Sequence, residues 1–336
     1  MRYIAIERVV KGMRMGKAVF NSNGDILVNK EVILTDKLIE NMKRRGILGV
    51  YVDDALSEDI EIEDLISDET KQKAIKVLKN MDVDAAVDIA EQIADEIAEM
   101  KEINLNMVAL RSKDGYTYQH SLNVAVYSVV TGIAMGLRRG MLKELSAAAL
   151  LHDIGKMQIP MRILDKPGKL TNEEYEEIKK HSEYGYELLK DSHQITSKIK
   201  MGVYMHHENV DGTGYPLGLK EHQIYLFAQI IHIADVYDAL SSRRSYKEAE
   251  LPNTSVKFLM NHAGSMFQQD IVKVFIDCVP VYQKGREVIL NTGEHAIVVE
   301  NRQHHTMYPI IRLMDGTTID LYEEENEELE IVELVC

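Results

Sequence analysis

The chain has 336 residues, of which 45% are hydrophobic, and a net charge of -15 from 39 basic and 54 acidic side chains. This length exceeds that of one ordinary domain, so we expect two or three domains with a substantial core. The negative charge argues against binding of nucleic acid polymers or anionic membranes, because both need a positive surface. The two cysteines, Cys278 and Cys336, are too few for a disulfide framework, and early charges exclude a signal peptide, so we expect a cytoplasmic protein.

The first 69 residues predict a small module and a linker. Residues 1–55 read as an α+β module, in which two short apolar runs flank the hairpin signal Asn23-Gly24. Thr35 begins a helix that ends at Gly46 and leads into the strand ILGVYV. Residues 56–69 are strongly acidic and are predicted to form a solvated linker.

Residues 70–279 predict an all-helical domain, since apolar residues recur throughout at helical spacing. The uncharged stretch 115–137 has the length of a membrane span, but its polar residues, which include His120, favour a buried core helix. The stripe Ile89, Ile93, Ile97 and Met100 is explained either by packing within the chain or by a homodimer.

Short β-branched runs after Pro280 predict a small β domain over residues 280–336 that ends in the acidic run EEENEELE. The predicted fold class is therefore multidomain and mainly α. It combines an all-helical core with a small N-terminal α+β module and a small C-terminal β segment.

Several predicted helices each direct a metal-binding type of side chain toward one interior. His181 and His206 lie on apolar stripes, as does Asp235, while the pair His152-Asp153 ends a buried helix. Buried groups of this kind cost several kcal/mol unless a cation compensates. The candidate ligands are His120, His152, Asp153, His181, His206, His207 and Asp235.

Imidazole and carboxylate donors without nearby cysteines favour iron or manganese, and they are compatible with zinc, magnesium, nickel or cobalt. Because a carboxylate can bridge two metals, Asp153 is predicted to join a site of His120, His152 and Asp235 to a site of His181, His206 and His207. Two metals about 3.5–4 Å apart generate a shared hydroxide near neutral pH, which suits phosphoester hydrolysis. Lys156, one turn after Asp153, could contact a phosphate oxygen or the nucleophile, or could be a solvated lysine.

The motifs HDIGK and HHENVDGTGYP, joined by the segment up to HSEYG, resemble the HD-GYP family of cyclic di-GMP phosphodiesterases. The resemblance covers residues 116–247 and implies an HD-type helical fold with the seven ligands named above. It also implies phosphate contacts from Lys156, Arg244 and Lys247. Tyr116 stands where family members with a third metal carry a glutamate, so we expect two metals.

The resemblance implies hydrolysis of cyclic di-GMP by a metal-bridging hydroxide to linear pGpG, with further cleavage to GMP left open. The loop with Gly214, Tyr215 and Pro216 matches the GYP signature, which implies a role in substrate access and in contacts with protein partners. Gly212 and Gly214 would permit unusual backbone turns, and Tyr215 could stack on guanine. Hydrolysis of another cyclic dinucleotide or nucleotide, and a catalytically silent binding scaffold, are the alternatives.

Overall fold

The structure of the chain, a computed structural model, describes residues 1–21, 25–100, 116–166, 168–241, 252–302 and 304–335. Its helices are α1 (Asp36–Arg44), α2 (Asp68–Asn80), α3 (Val83–Ala98), α4 (Tyr116–Ala134), α5 (Arg139–Leu151), α6 (Met161–Leu164), α7 (Asn172–Lys179), α8 (His181–Leu189), α9 (Ser197–Met205), α10 (Leu226–Ser241), α11 (Pro252–Asn261) and α12 (Gln269–Cys278). Its strands are β1 (Arg2–Ala5), β2 (Arg14–Met15), β3 (Val19–Phe20), β4 (Ile26–Val28), β5 (Gly49–Asp53), β6 (Glu287–Leu290), β7 (His295–Glu300), β8 (Ile310–Leu313), β9 (Thr318–Asp320) and β10 (Ile331–Leu334). The fold is mainly α with small sheets at both ends, which confirms the predicted fold class.

The N-terminal module contains a sheet of order β1-β5-β2 and the separate pair β3-β4, all antiparallel. The β3-β4 pairing fits the predicted hairpin, although Asn23 and Gly24 themselves lie outside the described residues. The hydroxyl of Thr35 accepts a hydrogen bond from Leu38 N and caps α1, and Gly46 follows that helix with φ +72°. The sequence therefore predicted this helix and both of its ends.

The helical core is built around α4, which packs against α5 and α10, while α3 packs across α5. Ile93 and Ile97 of α3 are fully buried inside the chain, so packing within the chain explains the apolar stripe that a dimer would also have explained. The described part of α4 is buried on nearly all sides, as expected of a core helix. Among the described residues, no helix is long and apolar enough to cross a membrane.

The acidic segment 56–69 is not a solvated linker, and that prediction was wrong. Ile60, Ile62 and Leu65 are at most 5% exposed; the two isoleucines pack against side chains of the flanking sheets, and Leu65 joins the helical core. The carboxylate of Asp59 accepts two hydrogen bonds from the Arg312 guanidinium at 2.6 and 2.7 Å. Alternation of acidic with apolar residues allows one side of the segment to be buried while the other stays in water.

The C-terminal β segment forms one antiparallel sheet of order β10-β6-β7-β8-β9. The sequence predicted four of these strands but treated the chain end as an acidic tail, whereas Ile331–Leu334 pairs with β6 as an edge strand. Val288, Ile311 and Ile331 join the same apolar cluster as the helical core. The β segment and the helices therefore share one core, and their separation into two domains stays a prediction.

Candidate metal centre

Helix ends supply six of the seven predicted ligands, and the seventh, Asp235, comes from within a helix. His120 lies near the start of α4, His152 is the C-terminal cap of α5, and Asp153 precedes a 3-10 turn over Ile154–Gln158. The predicted single helix through His181 is instead broken at Lys180, so that His181 begins α8. His206 caps α9, His207 follows it, and Asp235 lies within α10.

Close backbone packing sets the distance between the HDIGK motif and α8. A Cβ on Gly155 would lie 1.9 Å from the His181 carbonyl oxygen and 2.4 Å from Gly185 N. Only glycine at position 155 allows this approach, because no other residue lacks a Cβ. Gly155 thereby holds Asp153 next to His181.

Three of the histidines are oriented by the backbone carbonyl group three residues earlier in the chain. A carbonyl oxygen only accepts hydrogen bonds, so each Nδ1 that contacts one must carry the proton. The other ring nitrogen, Nε2, then presents a lone pair to the interior, as in histidines that bind metals. The pairs are His152 Nδ1 with Ala149 O, His181 Nδ1 with Ile178 O and His206 Nδ1 with Val203 O, each at 2.7 Å.

The lone pairs of these histidines converge. His181 Nε2 lies 3.2 Å from His206 Nε2, although neither of these neutral rings has a proton left to place between the two atoms. His207 Nε2 lies 3.1 Å from the same His181 nitrogen. Among the described residues, His152 Nε2 and Asp153 Oδ1 are buried without a hydrogen-bond partner. A divalent cation would relieve the contact between His181 and His206 and would satisfy the two unpartnered atoms, so the donor set fits a metal.

Two groups of donors can be separated. His181, His206 and His207 form one group and His120, His152 and Asp153 form the other, with the donor atoms of each group within 4.8 Å of one another. Asp153 lies between the groups, since its Oδ2 is 3.4 Å from His152 Nε2 and its Oδ1 is 3.4 Å from His181 Nε2. This is the position that a bridging carboxylate requires.

Asp235 also faces both groups, whereas the sequence assigned it to one. Its Oδ1 lies 3.0 Å from His120 Nε2 and its Oδ2 lies 4.0 Å from His207 Nδ1. The two carboxylates thus lie among the imidazoles of both groups.

Burial and charge act against each other in the centre. Burial opposes the charge of Asp153, but Lys156 and the nearby histidines outweigh burial and hold the pKa of Asp153 well below its usual range. Burial also opposes protonation of His120, yet hydrogen bonds to Asp235 and Asp238 outweigh it and raise the pKa of His120 to about 10. Burial, reinforced by neighbouring histidines, keeps the pKa of His206 well below its usual range. The carboxylates are therefore ionised and ready to bind a cation.

Asp238 belongs to the candidate centre, although it was not among the residues predicted from the sequence. Its Oδ2 lies 2.7 Å from His120 Nδ1, and its Oδ1 accepts a hydrogen bond from Asn123 at 2.8 Å. The amide of Gln119 donates in turn to Asn123 at 2.7 Å. The signal was available, because Asp238 follows Asp235 by three residues on a helix and so shares its face. Asp238 orients His120 as backbone carbonyl groups orient His152, His181 and His206.

Replacing Asp238 with asparagine should weaken metal binding by about 10- to 100-fold, because the carboxylate hydrogen-bonded to His120 fixes the ring and raises its basicity. Titration calorimetry with manganese on metal-free protein measures this change directly. Asp277→Asn removes an exposed carboxylate on α12 and serves as the control. Equal affinities for wild type and Asp238→Asn would contradict the orienting role.

The GYP loop is anchored by Glu208, whose role the sequence did not reveal. This carboxylate is 2% exposed and accepts hydrogen bonds from Leu217 N at 2.6 Å and Leu219 N at 2.8 Å. Gly212 has φ +89°, as predicted. Gly214 has no positive φ; glycine is needed there because a Cβ would lie 2.2 Å from Asn209 N.

Tyr215 stacks on a metal-ligand candidate. Its ring lies 4.7 Å from the His207 ring at an angle of 29°, and the Lys179 ammonium lies 5.7 Å from the Tyr215 ring centre. One face of the ring is therefore already covered by His207. Of the three GYP residues, Tyr215 lines the cavity next to the centre, and Gly214 and Pro216 do not.

The structure describes only one of the three residues that were predicted to contact phosphate. The Lys156 ammonium donates to Asp153 Oδ2 and is about one third exposed, so it faces both the carboxylate and the cavity. Arg244 and Lys247 lie outside the described residues.

The fold and this His/Asp centre define a helical protein of the HD class. The family described as "HD domain" matches residues 102–271, about half of the chain, and the chain belongs to that family. It is 31% identical over 265 residues to a cyclic di-GMP phosphodiesterase of Pseudomonas aeruginosa, covering 77% of this chain and 64% of the relative. It is 35% identical over 198 residues to a cyclic di-GMP phosphodiesterase of Thermotoga maritima, covering 57% of this chain and 53% of the relative.

A third relative carries a different substrate in its name. The chain is 36% identical over 173 residues to 3'3'-cGAMP-specific phosphodiesterase 2 of Vibrio cholerae, covering 51% of this chain and 33% of the relative. The chain thus spans between one third and two thirds of the length of these three relatives.

Proposed function

We propose that the chain is a phosphodiesterase that uses two divalent metal ions to hydrolyse cyclic di-GMP to linear pGpG. The observation that carries this proposal is the convergence of imidazole Nε2 atoms around Asp153, with His181 and His206 Nε2 3.2 Å apart. An arrangement so unfavourable for the side chains alone is expected where cations bind. Relatives named cyclic di-GMP phosphodiesterases support the choice of substrate.

The proposed ligand sets follow from the two donor groups. His120, His152 and Asp235 would hold one ion, and His181, His206 and His207 would hold the other, with Asp153 shared. Mixed imidazole and carboxylate donors favour iron or manganese over magnesium, which prefers oxygen ligands alone. When bound, two such ions supply a nucleophilic hydroxide near neutral pH and neutralise charge on the phosphodiester.

The protein side chains would perform the remaining tasks. Lys156 forms an ion pair with Asp153 and also lines the cavity, so it would offset the negative charge that develops on the phosphate. Arg244 and Lys247 are proposed as further phosphate contacts from the sequence resemblance. Protein partners at the GYP loop and a cytoplasmic location also stay proposals; the low cysteine content supports the location.

Metal analysis combined with product chromatography tests the proposal. Protein purified in the absence of oxygen, then supplied with manganese or ferrous iron, should contain about two ions per chain and convert cyclic di-GMP to pGpG. The reaction should stop on chelation and resume when metal is returned. Protein that holds two ions yet leaves cyclic di-GMP intact would instead support a silent binding scaffold.

The relative specific for cyclic GMP-AMP favours one alternative substrate. Cyclic GMP-AMP assayed beside cyclic di-GMP decides between them. A kcat/KM higher for cyclic GMP-AMP would overturn the proposed substrate while leaving the reaction class intact.

A further inference from the structure

A cavity of about 670 Å³ extends from the candidate metal centre to the turn between α2 and α3. This volume falls in the range of small-molecule sites. Its lining includes Lys156 and metal-ligand candidates. The rest of the lining is mainly apolar and comes from α2, α3, α6 and α10; this part, the apolar end, comprises Val77, Leu78, Val83, Leu164, Val236 and Leu240.

Three methionines with unusually exposed side chains form the rim of the apolar end. Met81, Met157 and Met161 are 48, 45 and 66% exposed, and all three line the cavity. Met81 ends α2 in the left-handed region at φ +60°, a conformation that favours glycine. Methionine thioethers make favourable contacts with aromatic rings of varied orientation.

Two exposed residues with carboxylates, Asp82 and Asp165, line the same cavity and are neighbours in sequence of the apolar lining residues Val83 and Leu164. Asp82 caps α3 through a hydrogen bond from Ala85 N to Oδ1 at 3.1 Å. Within the described chain no hydrogen bond or ion pair engages Asp82 Oδ2 or the Asp165 side chain. These oxygens accept hydrogen bonds and cannot donate them.

We propose that the apolar end of the cavity, next to the metal centre, is a purine-base subsite in which Asp82 and Asp165 select guanine over adenine. The proposal rests on the proposed phosphodiesterase function. A phosphate held at the metal centre leaves its attached base within the same cavity, and a flat base suits apolar walls better than ribose or phosphate does.

The selection follows from the hydrogen-bonding edge of each base. Guanine offers two donors side by side, N1–H and the N2 amine, which match one carboxylate. Adenine offers an acceptor at N1, which a carboxylate would repel. A bidentate pair of this kind discriminates between bases by about 10- to 100-fold.

The experiment compares three substrates on manganese-loaded protein: cyclic di-GMP, cyclic di-AMP and bis(para-nitrophenyl) phosphate, a diester without a base. The double variant Asp82→Asn, Asp165→Asn should reduce the guanine over adenine preference in kcat/KM by at least ~10-fold. Asparagine caps a helix as well as aspartate does, so α3 should be retained. The kcat/KM for the base-free diester should change much less than the kcat/KM for cyclic di-GMP.

A second variant separates loss of the subsite from loss of folding. Met81→Gly removes the thioether and relieves the left-handed backbone, so its melting temperature should equal or exceed that of wild type. Its KM for cyclic di-GMP should rise by about 5-fold, more than its KM for the base-free diester. An unchanged base preference in the double variant, or equal effects on both kinds of substrate, would overturn the subsite. Failure of wild type to cleave any of the three diesters would instead overturn the proposed function.

Discussion

Replacing Asp153 with asparagine is expected to remove most bound metal and to lower turnover of cyclic di-GMP by about 10³-fold or more, since metal activation of the nucleophile is worth several kcal/mol. The reason is geometric. Asp153 faces His152 with one oxygen and His181 with the other, both at 3.4 Å. An asparagine keeps the shape but offers one oxygen and no charge, so it cannot bridge two ions. Metal content per chain and initial rates measure the two losses.

The control for this variant is Asp191→Asn, which makes the same chemical change at an exposed position after α8. Circular dichroism should show equal helix content in both variants, because Asp153 lies after α5 and not within it. If Asp153→Asn retained two ions per chain and the rate of wild type, Asp153 would not be a bridging ligand.

The sequence located some of the candidate ligands because they occupy positions on periodic apolar faces. His206 and Asp235 extend apolar stripes that contain isoleucines, and a helix that buries such a stripe must bury the polar residue with it. What periodicity could not supply is the distance between helices. The approach of the HDIGK turn to α8 depends on Gly155, whose importance becomes visible only when the His181 carbonyl lies beside it.

Residues that support the ligands were harder to find than the ligands. Asp238 has the spacing of a second buried carboxylate, but helical spacing alone does not distinguish a metal ligand from the acceptor behind a histidine. Glu208 stands within the HHENVDGTGYP motif, and its task emerges only from the folded loop, where it holds the Leu217 and Leu219 amides. Both residues act through contacts between segments that meet only in the folded chain.

Errors in the fold prediction have a common physical origin. Residues 56–69 and the run EEENEELE just before the final strand β10 are rich in acidic residues, which led to predictions of a linker and a tail. Composition averages over both faces of a segment, whereas burial depends on alternate residues. Ile60 and Ile331 are buried although acidic neighbours surround both in the sequence. Which face is buried becomes visible only from the part of the folded chain against which the segment packs.

Gly155→Ala is expected to destabilise the fold by about 3 kcal/mol or more and to disrupt the metal centre in the same step. The added Cβ would lie 1.9 Å from the His181 carbonyl oxygen, a backbone atom that no side-chain rotation can move away. Relief requires α8 to shift, which carries His181 away from Asp153. Urea unfolding of the metal-free protein measures the stability, and metal content measures the centre.

Gly140→Ala is the matched control, because Gly140 lies exposed in α5 with nothing within 4 Å of an added Cβ. It should stabilise the protein by about 0.5–1 kcal/mol through helix propensity. The same replacement of glycine by alanine is thus expected to destabilise the protein at position 155 and to stabilise it at position 140. A Gly155→Ala protein with the unfolding midpoint and metal content of wild type would mean that the HDIGK turn does not depend on close contact with α8. In that case the position of Asp153 between the two donor groups would need another cause.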